Sequence, residues 1–293
     1  MNKIIITGGS GFLAKHTIKY LESKGYEVWD LTRKPNVRSQ SIEIDITNRV
    51  DVETKISVDN IDAIIHLAAH IPTPENSPDI ELCQKVNFDS TNFLLKFCCD
   101  NNIRRFIYIS SLSIFDDNAE IIINEKSTPN PKSEYSISKL SAEYLCRFYS
   151  RNYQLIVPIL RIGSIFGEGM NSSRMIPYFI KNCILNKKIE VYNSNLQLNI
   201  SYIKDVVKII EKLIYADSEI YHFTTNSISK RELVNSIAKV TSSNSKITYS
   251  DESIFIPKVF DINKIMTLIE GNTFSLYSLE NGLTDFLKNY HYE

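Results

Sequence analysis

Apolar residues in the first half of the chain fall into short runs, each followed by a longer stretch with helical spacing. The runs at 4–7, 27–31, 42–44, 63–68, 106–110 and 155–160 have strand length. Between them, 12–23 and 86–99 repeat apolar positions every three to four residues, as amphipathic helices do. The strand runs are apolar at successive positions, which suits strands covered on both faces. This alternation predicts an α/β fold built on a doubly wound parallel sheet, with the carboxyl ends of the strands along one edge. Residues just after Thr7, Ala68, Ser110 and Leu160 are expected to line a common crevice there. Beyond about Gly163 the pattern loosens. Helical spacing at 175–185, 205–215, 230–241 and 279–289 alternates with short strands such as 190–192. The expected organisation is a dinucleotide-binding domain over 1–163 and a smaller substrate-binding lobe over 164–293. The lobe would close over the crevice, with about 200–217 packing back on the first part.

Composition narrows the class. With 293 residues, 43% hydrophobic and 23% charged, the chain can bury a sizeable core. A net charge of −1 and the lack of a Lys/Arg run argue against nucleic-acid or anionic-membrane partners. The start runs straight into a strand, without the pattern of a signal peptide, and no apolar stretch has transmembrane length. Five cysteines without metal-type spacing read as reduced thiols of a cytoplasmic protein, and no metal site is expected.

The first strand leads into Thr7-Gly8-Gly9-Ser10-Gly11-Phe12-Leu13-Ala14 and then a helix. In that order glycines have a physical task. Gly8 allows a tight turn, Gly11 lets backbone N–H groups approach a pyrophosphate, and the helix N-terminus supplies partial positive charge. The second strand ends in Leu31-Thr32-Arg33-Lys34, with Thr32 where an acid would bind a ribose hydroxyl. Asp30, two residues earlier, is expected to point elsewhere. Arg33 beside Thr32 favours NADP(H), with NAD(H) open as the alternative and solvated turn charges as the plainer account of Arg33 and Lys34.

Tyr135 and Lys139 stand one helical turn apart, with Ser111 at the end of an earlier strand. An ammonium beside a phenol stabilises the phenolate, so Lys139 is expected to lower the pKa of Tyr135. The phenol would then exchange a proton with a substrate oxygen that Ser111 orients. The spacing alone is weak, since Tyr20 and Lys24 repeat it in the first helix. His70, just past the fourth strand, is a candidate substrate contact, and His66 reads as a satisfied core residue.

Glycine loop, Ser111 and the Tyr135–Lys139 helix together resemble the extended short-chain dehydrogenase/reductase family, in its nucleotide-sugar epimerase, dehydratase and reductase branch, over nearly the whole chain. The resemblance implies a Rossmann sheet and a catalytic set of Ser111, Tyr135 and Lys139. It implies cofactor contacts at Gly8, Gly11, Phe12, Leu13, Thr32, Arg33, Asp45, Ile46, Leu67, Ala68, Ala69 and Lys139. It casts Asn87 as a brace for the central strands and implies substrate contacts at Ser111, Ser164, Val191 and Tyr192. His70 is a candidate from its place past the fourth strand, and Arg174 as a substitute for the cation missing at Leu198, with a surface charge as the plainer account. A homodimer through the helices near 86–99 and 135–149 is the family's expectation. The chain departs from the family pattern at Ser164, where an Asn is usual, and at Leu198, where many relatives carry an Arg.

Leu112-Ser113 follow Ser111 where a 4,6-dehydratase of this branch carries an Asp-Glu pair, which argues against dehydration. The expected activity is NAD(P)(H)-dependent reduction of the C4 ketone of a nucleotide-linked 4-keto-6-deoxy sugar. A 4-epimerase retaining NAD is the alternative, and a catalytically silent NADPH-binding regulator a remote one.

Overall fold

The computed structural model describes residues 3–34, 40–56, 59–72, 78–116, 120–251, 257–269 and 275–290. Along the chain, β1 (Lys3–Thr7), α1 (Phe12–Ser23), β2 (Glu27–Thr32), β3 (Ser41–Glu43), α2 (Arg49–Lys55) and β4 (Ala63–His66) come first. A short α3 (Ile80–Cys83), a π-helical turn (Gln84–Asp89), α4 (Ser90–Asp100) and β5 (Arg105–Ser111) follow. A 3-10 turn (Leu112–Phe115), β6 (Ile122–Ile123), α5 (Glu134–Tyr153), β7 (Ile159–Ile162) and β8 (Ser164–Phe166) are next. Then come α6 (Met175–Ile184), β9 (Ile189–Tyr192), β10 (Gln197–Tyr202), α7 (Ile203–Leu213), β11 (Ile220–Phe223) and β12 (Asn226–Ser229). The last elements are α8 (Lys230–Val240), β13 (Ile247–Ser250), β14 (Val259–Phe260), α9 (Asn263–Thr267) and α10 (Leu279–Leu287).

These elements form two compact units. The first comprises 1–118, 127–162 and 207–222; the second comprises 119–126, 163–206 and 223–293. The first is organised by a seven-stranded sheet in the order β11-β7-β5-β4-β1-β2-β3. Its pairs β2–β3, β1–β2, β1–β4, β4–β5 and β5–β7 are parallel. The mixed α/β, doubly wound sheet is thus the one the apolar runs predict. Ile4, Ile5 and Ile6 are all fully buried, because helices cover both sides of the strand. One core cluster packs Ile5, Ile64, Phe106 and Tyr108 against Leu94, Cys98, Ala142 and Cys146 of α4 and α5.

Strand order reverses between β1 and β4, and such a switch point opens a crevice beyond the carboxyl ends of the two strands. Boundaries differ from the sequence reading for local reasons. β4 stops at His66 because the N–H groups of Leu67 and Ala68 turn away to Thr7 Oγ1, at 3.1 and 3.0 Å. β7 starts at Ile159, just after Pro158, which has no N–H for a ladder. The expected single helix over 86–99 instead begins as a π-helical turn at Gln84–Asp89 and becomes α-helical from Ser90.

The second unit holds a three-stranded sheet, β12-β10-β8, and the two-stranded pairs β13–β9 and β14–β6. In β9, buried Ile189 and Val191 alternate with exposed Glu190 and Tyr192, the period of a half-buried strand. No described helix is long and apolar enough to cross a membrane.

Candidate active site

The site in the first unit starts at the glycine loop. Gly8 has φ +74°, and a Cβ there would lie 2.9 Å from the Ala68 backbone. The residue must therefore be glycine both for its conformation and for the close approach of β4's exit. Gly8 and Gly9 donate to Leu31 O, and Gly11 donates to Gly8 O, so the loop is tied to β2. Helix α1 opens after Gly11 with no side-chain cap and no acidic residue in its first turn. Its N-terminal amides and dipole are thus left to an outside acceptor.

Asp30 corrects one expectation. It is fully buried and lies against Gly9, where a Cβ would sit 2.7 Å from the Asp30 carboxyl carbon. Ser41 Oγ donates to its Oδ2 at 3.1 Å. Residues 30 and 32 of a strand share a face, so Asp30 points to the glycine loop and not away from it. Thr32 is also buried, and its hydroxyl donates to Lys34 O at 3.0 Å, while Arg33 and Lys34 are exposed. Asp45 is exposed and accepts from Thr47 N–H and hydroxyl at 2.9 and 2.8 Å; Ile46 is buried.

The exit of β4 is held by hydroxyls. Thr7 Oγ1 accepts from Leu67 and Ala68, which leaves its own proton for His66 Nδ1, 2.7 Å away. Nε2 of His66 then carries the ring proton and donates to Thr91 Oγ1 at 3.0 Å, which itself donates to Asn87 O. Burial, with Lys139 nearby, pushes His66 down to about 3, so it is a neutral structural group. Asn87 sits in the π-helical turn and clasps His70, accepting from its N–H at 2.7 Å and donating to its carbonyl at 2.9 Å. The same amide donates to Ser138 on α5 at 2.9 Å. His70 Nε2 lies 2.9 Å from Asp79 Oδ2.

The three candidate catalytic residues meet in this unit. Ser133 and Ser136 form a reciprocal capping box, which fixes the start of α5 and places Tyr135 in its first turn. Ser111, at the end of β5, lies close enough to Tyr135 to favour its ionised form. It also caps the following 3-10 turn by accepting from Ser113 N–H at 3.2 Å. Lys139 is buried with Nζ 4.4 Å from the centre of the Tyr108 ring, a cation–π floor. Desolvation pulls Lys139 down to about 8, with Cys146 and Glu143 acting in the opposite direction. Burial raises Tyr135 to about 12, with Ser111 acting in the opposite direction. The expectation that Lys139 lowers the phenol is not met: burial dominates, and the influence opposing it comes from Ser111. The look-alike pair is elsewhere: Tyr20 donates to Glu211 at 3.0 Å with Lys24 near its ring.

Residues 4–225 match the model of the NAD dependent epimerase/dehydratase family. The chain belongs to that family. Among curated relatives, the dTDP-D-glucose 4,6-dehydratase of Dictyostelium discoideum is 30% identical over 71% of this chain and 54% of its own. The chain therefore spans about half of that relative's length. The GDP-6-deoxy-D-talose 4-dehydrogenase of Aggregatibacter actinomycetemcomitans is 29% identical over 72% of this chain and 70% of its own. Among solved structures, UDP-glucose 4-epimerase of Thermotoga maritima, with UDP-glucose, shares the fold at TM-score 0.88 and 21% identity over 98% of each chain.

A nicotinamide dinucleotide fits the residues present. The glycine turn, the uncapped α1 and the small Ala68 against Gly8 suit a pyrophosphate. In the second unit, Ser164 is exposed on β8, Arg174 is exposed at the start of α6 and Tyr192 is exposed on β9; Val191 is buried. Among the described residues no group of three metal-ligating side chains occurs. Sequence reasoning missed Asn87's clasp on His70 and the Glu143–Arg161 pair, whose signal, a charged residue four positions beyond Lys139, lay in the helix repeat.

Proposed function

We propose that this family member catalyses NAD(P)(H)-dependent reduction of the C4 ketone of a nucleotide-linked 4-keto-6-deoxy sugar. The observation that carries the reading is Ser111 beside Tyr135 in one unit, with a buried Lys139 one helical turn along α5. A nicotinamide cofactor, when bound, supplies the hydride to C4. With its pKa raised to about 12, Tyr135 holds its proton at neutral pH and can give it to the ketone oxygen. Ser111 donates to the phenolate left behind, and the first turn of α5 adds the partial positive charge of a helix N-terminus. Lys139, at about 8, is largely charged at pH 7, which suits ribose binding and phenolate stabilisation. Leu112 is buried and Ser113 is engaged with Ser111, so that turn carries no carboxylate for the elimination chemistry of a dehydratase.

The relative named as a 4-dehydrogenase of a GDP-linked 6-deoxy sugar supports the choice of C4. We assign NADP(H), on the exposed Arg33 and Lys34 and the missing carboxylate at position 32. A 4-epimerase is the second reading: family membership and the buried Asp30 at the glycine loop both suit retained NAD. The roles of Gly8, Gly11, Phe12, Leu13, Asp45, Ile46 and Leu67 toward cofactor, and of His70, Ser164, Arg174, Val191 and Tyr192 toward substrate, belong to the same proposal. So does a homodimer through α4 and α5, which sedimentation tests.

The deciding experiment incubates the protein with a 4-keto-6-deoxy sugar nucleotide and NADPH and follows absorbance of the reduced cofactor. Stoichiometric loss supports the reductase. Interconversion of 4-epimers without cofactor loss moves the assignment to epimerase, and tight NADPH binding without turnover to a silent binder. Tyr135→Phe is expected to abolish turnover while leaving the cofactor dissociation constant within a few-fold; retained turnover refutes the role of Tyr135.

A further inference from the structure

One turn beyond Lys139 on α5, the side chain of Glu143 is buried in an ionic cluster that the proton transfer does not itself require. Ser110 Oγ donates to Glu143 Oε1 at 2.5 Å. Arg161 of β7 forks onto the same carboxylate, Nε to Oε1 at 3.0 Å and Nη2 to Oε2 at 2.7 Å. Its Nη1 lies 3.3 Å from His222 Nε2 of β11, and its guanidinium stands 5.2 Å from the centre of the Phe115 ring. Ser110, Glu143, Arg161, His222 and Phe115 are each at most 3% exposed.

For stability alone this arrangement is a poor choice. Taking two charges out of water costs several kcal/mol per ion, and apolar replacements of such pairs are often neutral or stabilising. Direction is what a bidentate fork adds, since it fixes both the rotation and the height of α5 against β7. Glu143 lies four residues from Lys139 and eight from Tyr135, on one helix face. Ser110 immediately precedes Ser111. We propose that Glu143, gripped by Arg161 and Ser110, is a positioning residue that locks the face of α5 carrying Tyr135 and Lys139 to the strand end carrying Ser111. The proposal rests on those three residues being the catalytic set.

The charges agree with the geometry. Lys139 is faced by Tyr108 of β5, by neutral His66 of β4 and, on α5, by Glu143 and Cys146. Of these, Glu143 is the carboxylate, and it works against the desolvation of the ammonium. Without it, Lys139 loses its proton at lower pH.

The test is the paired substitution Glu143→Leu/Arg161→Met, with Glu143→Gln as the isosteric single variant that also serves if the pair fails to fold. In both, kcat for NADPH-dependent reduction of the 4-keto-6-deoxy sugar nucleotide is expected to fall about 100-fold. The cofactor dissociation constant should stay within a few-fold, and the alkaline limb of kcat should move to lower pH. In parallel, NMR of protein carrying 13C-ε-lysine, with the Lys139 signal assigned through Lys139→Met, should show the Lys139 midpoint lowered. That titration needs no substrate, so it decides even if the substrate class is wrong. A kcat within about threefold of wild type together with an unmoved Lys139 midpoint overturns the proposal. If Tyr135→Phe keeps its turnover, the catalytic assignment falls instead; if Tyr135→Phe is inactive and the Glu143 variants behave as wild type, the positioning role alone falls.

Discussion

At the level of single residues, the site is governed by desolvation. Lys139 is 3% exposed and its pKa is lowered from 10.5 to about 8, so at neutral pH the folded protein holds an ammonium that water would solvate better. Between about 8 and 10.5 the unfolded chain binds more protons than the folded one, so stability rises with pH through that window. Below about 8 the full penalty is present. Lys139→Met is therefore expected to stabilise the fold, by on the order of 1–3 kcal/mol at pH 7, with the gain shrinking as pH climbs toward 10. Denaturant titrations of both proteins at pH 7 and 9.5 check this; a gain that is equal at the two pH values, or a loss, rejects it. Turnover should vanish in the same variant. The sequence placed Ser111, Tyr135 and Lys139 in order but did not reveal the balance of effects on the phenol. That balance depends on burial, which spacing does not carry. Asp30 shows the opposite case: period-two alternation already puts residues 30 and 32 on one face, so its contact with Gly9 was legible in principle.

Among the elements, α5 matters most, because its first turn carries the acid and its second the ammonium. Its start is set by the Ser133–Ser136 capping box, Ser133 N–H to Ser136 Oγ at 3.0 Å and Ser136 N–H to Ser133 Oγ at 3.2 Å. Ser133→Ala is expected to cost about 1 kcal/mol of stability. It should also lower kcat more than it raises KM, because fraying of this turn displaces Tyr135 from Ser111. Thermal unfolding and steady-state kinetics test the two parts, and an unchanged kcat would separate the cap from the chemistry. Strands and long helices of this protein were legible from apolar periodicity because tertiary burial and local pattern agree there. The π-helical turn at Gln84–Asp89 was not, since its widened turn accompanies a polar clasp from Asn87 to the backbone of His70, 17 residues back in sequence. The ends of β4 and β7 escaped for the same kind of reason: Thr7's hydroxyl diverts two N–H groups, and Pro158 offers none.

On the scale of the whole chain, the sheet order places the glycine loop after β1 and the Leu67–His70 segment after β4 on either side of the switch point. The fold family was therefore readable from the order of the motifs, whereas the identity of the cofactor was not, because two opposed charges bear on it. Arg33 and Lys34 are exposed at the end of β2, and Asp30 is buried two residues inside it. A 2′-phosphate would meet the exposed cations first, and the Asp30 carboxylate is occupied by Ser41. NADPH should therefore raise the melting temperature more than NADH at equal concentration, since a ligand at concentration L that binds the native state stabilises it by RT ln(1 + L/Kd), which is larger for the tighter ligand. Arg33→Ser should weaken NADPH about tenfold, the scale of one charge-assisted contact, and leave NADH unchanged. A larger shift with NADH in the wild-type protein would reverse the assignment. Asp30, not Arg33, would then set the cofactor, and a 4-epimerase that recycles bound NAD would become the stronger account of the same three catalytic residues.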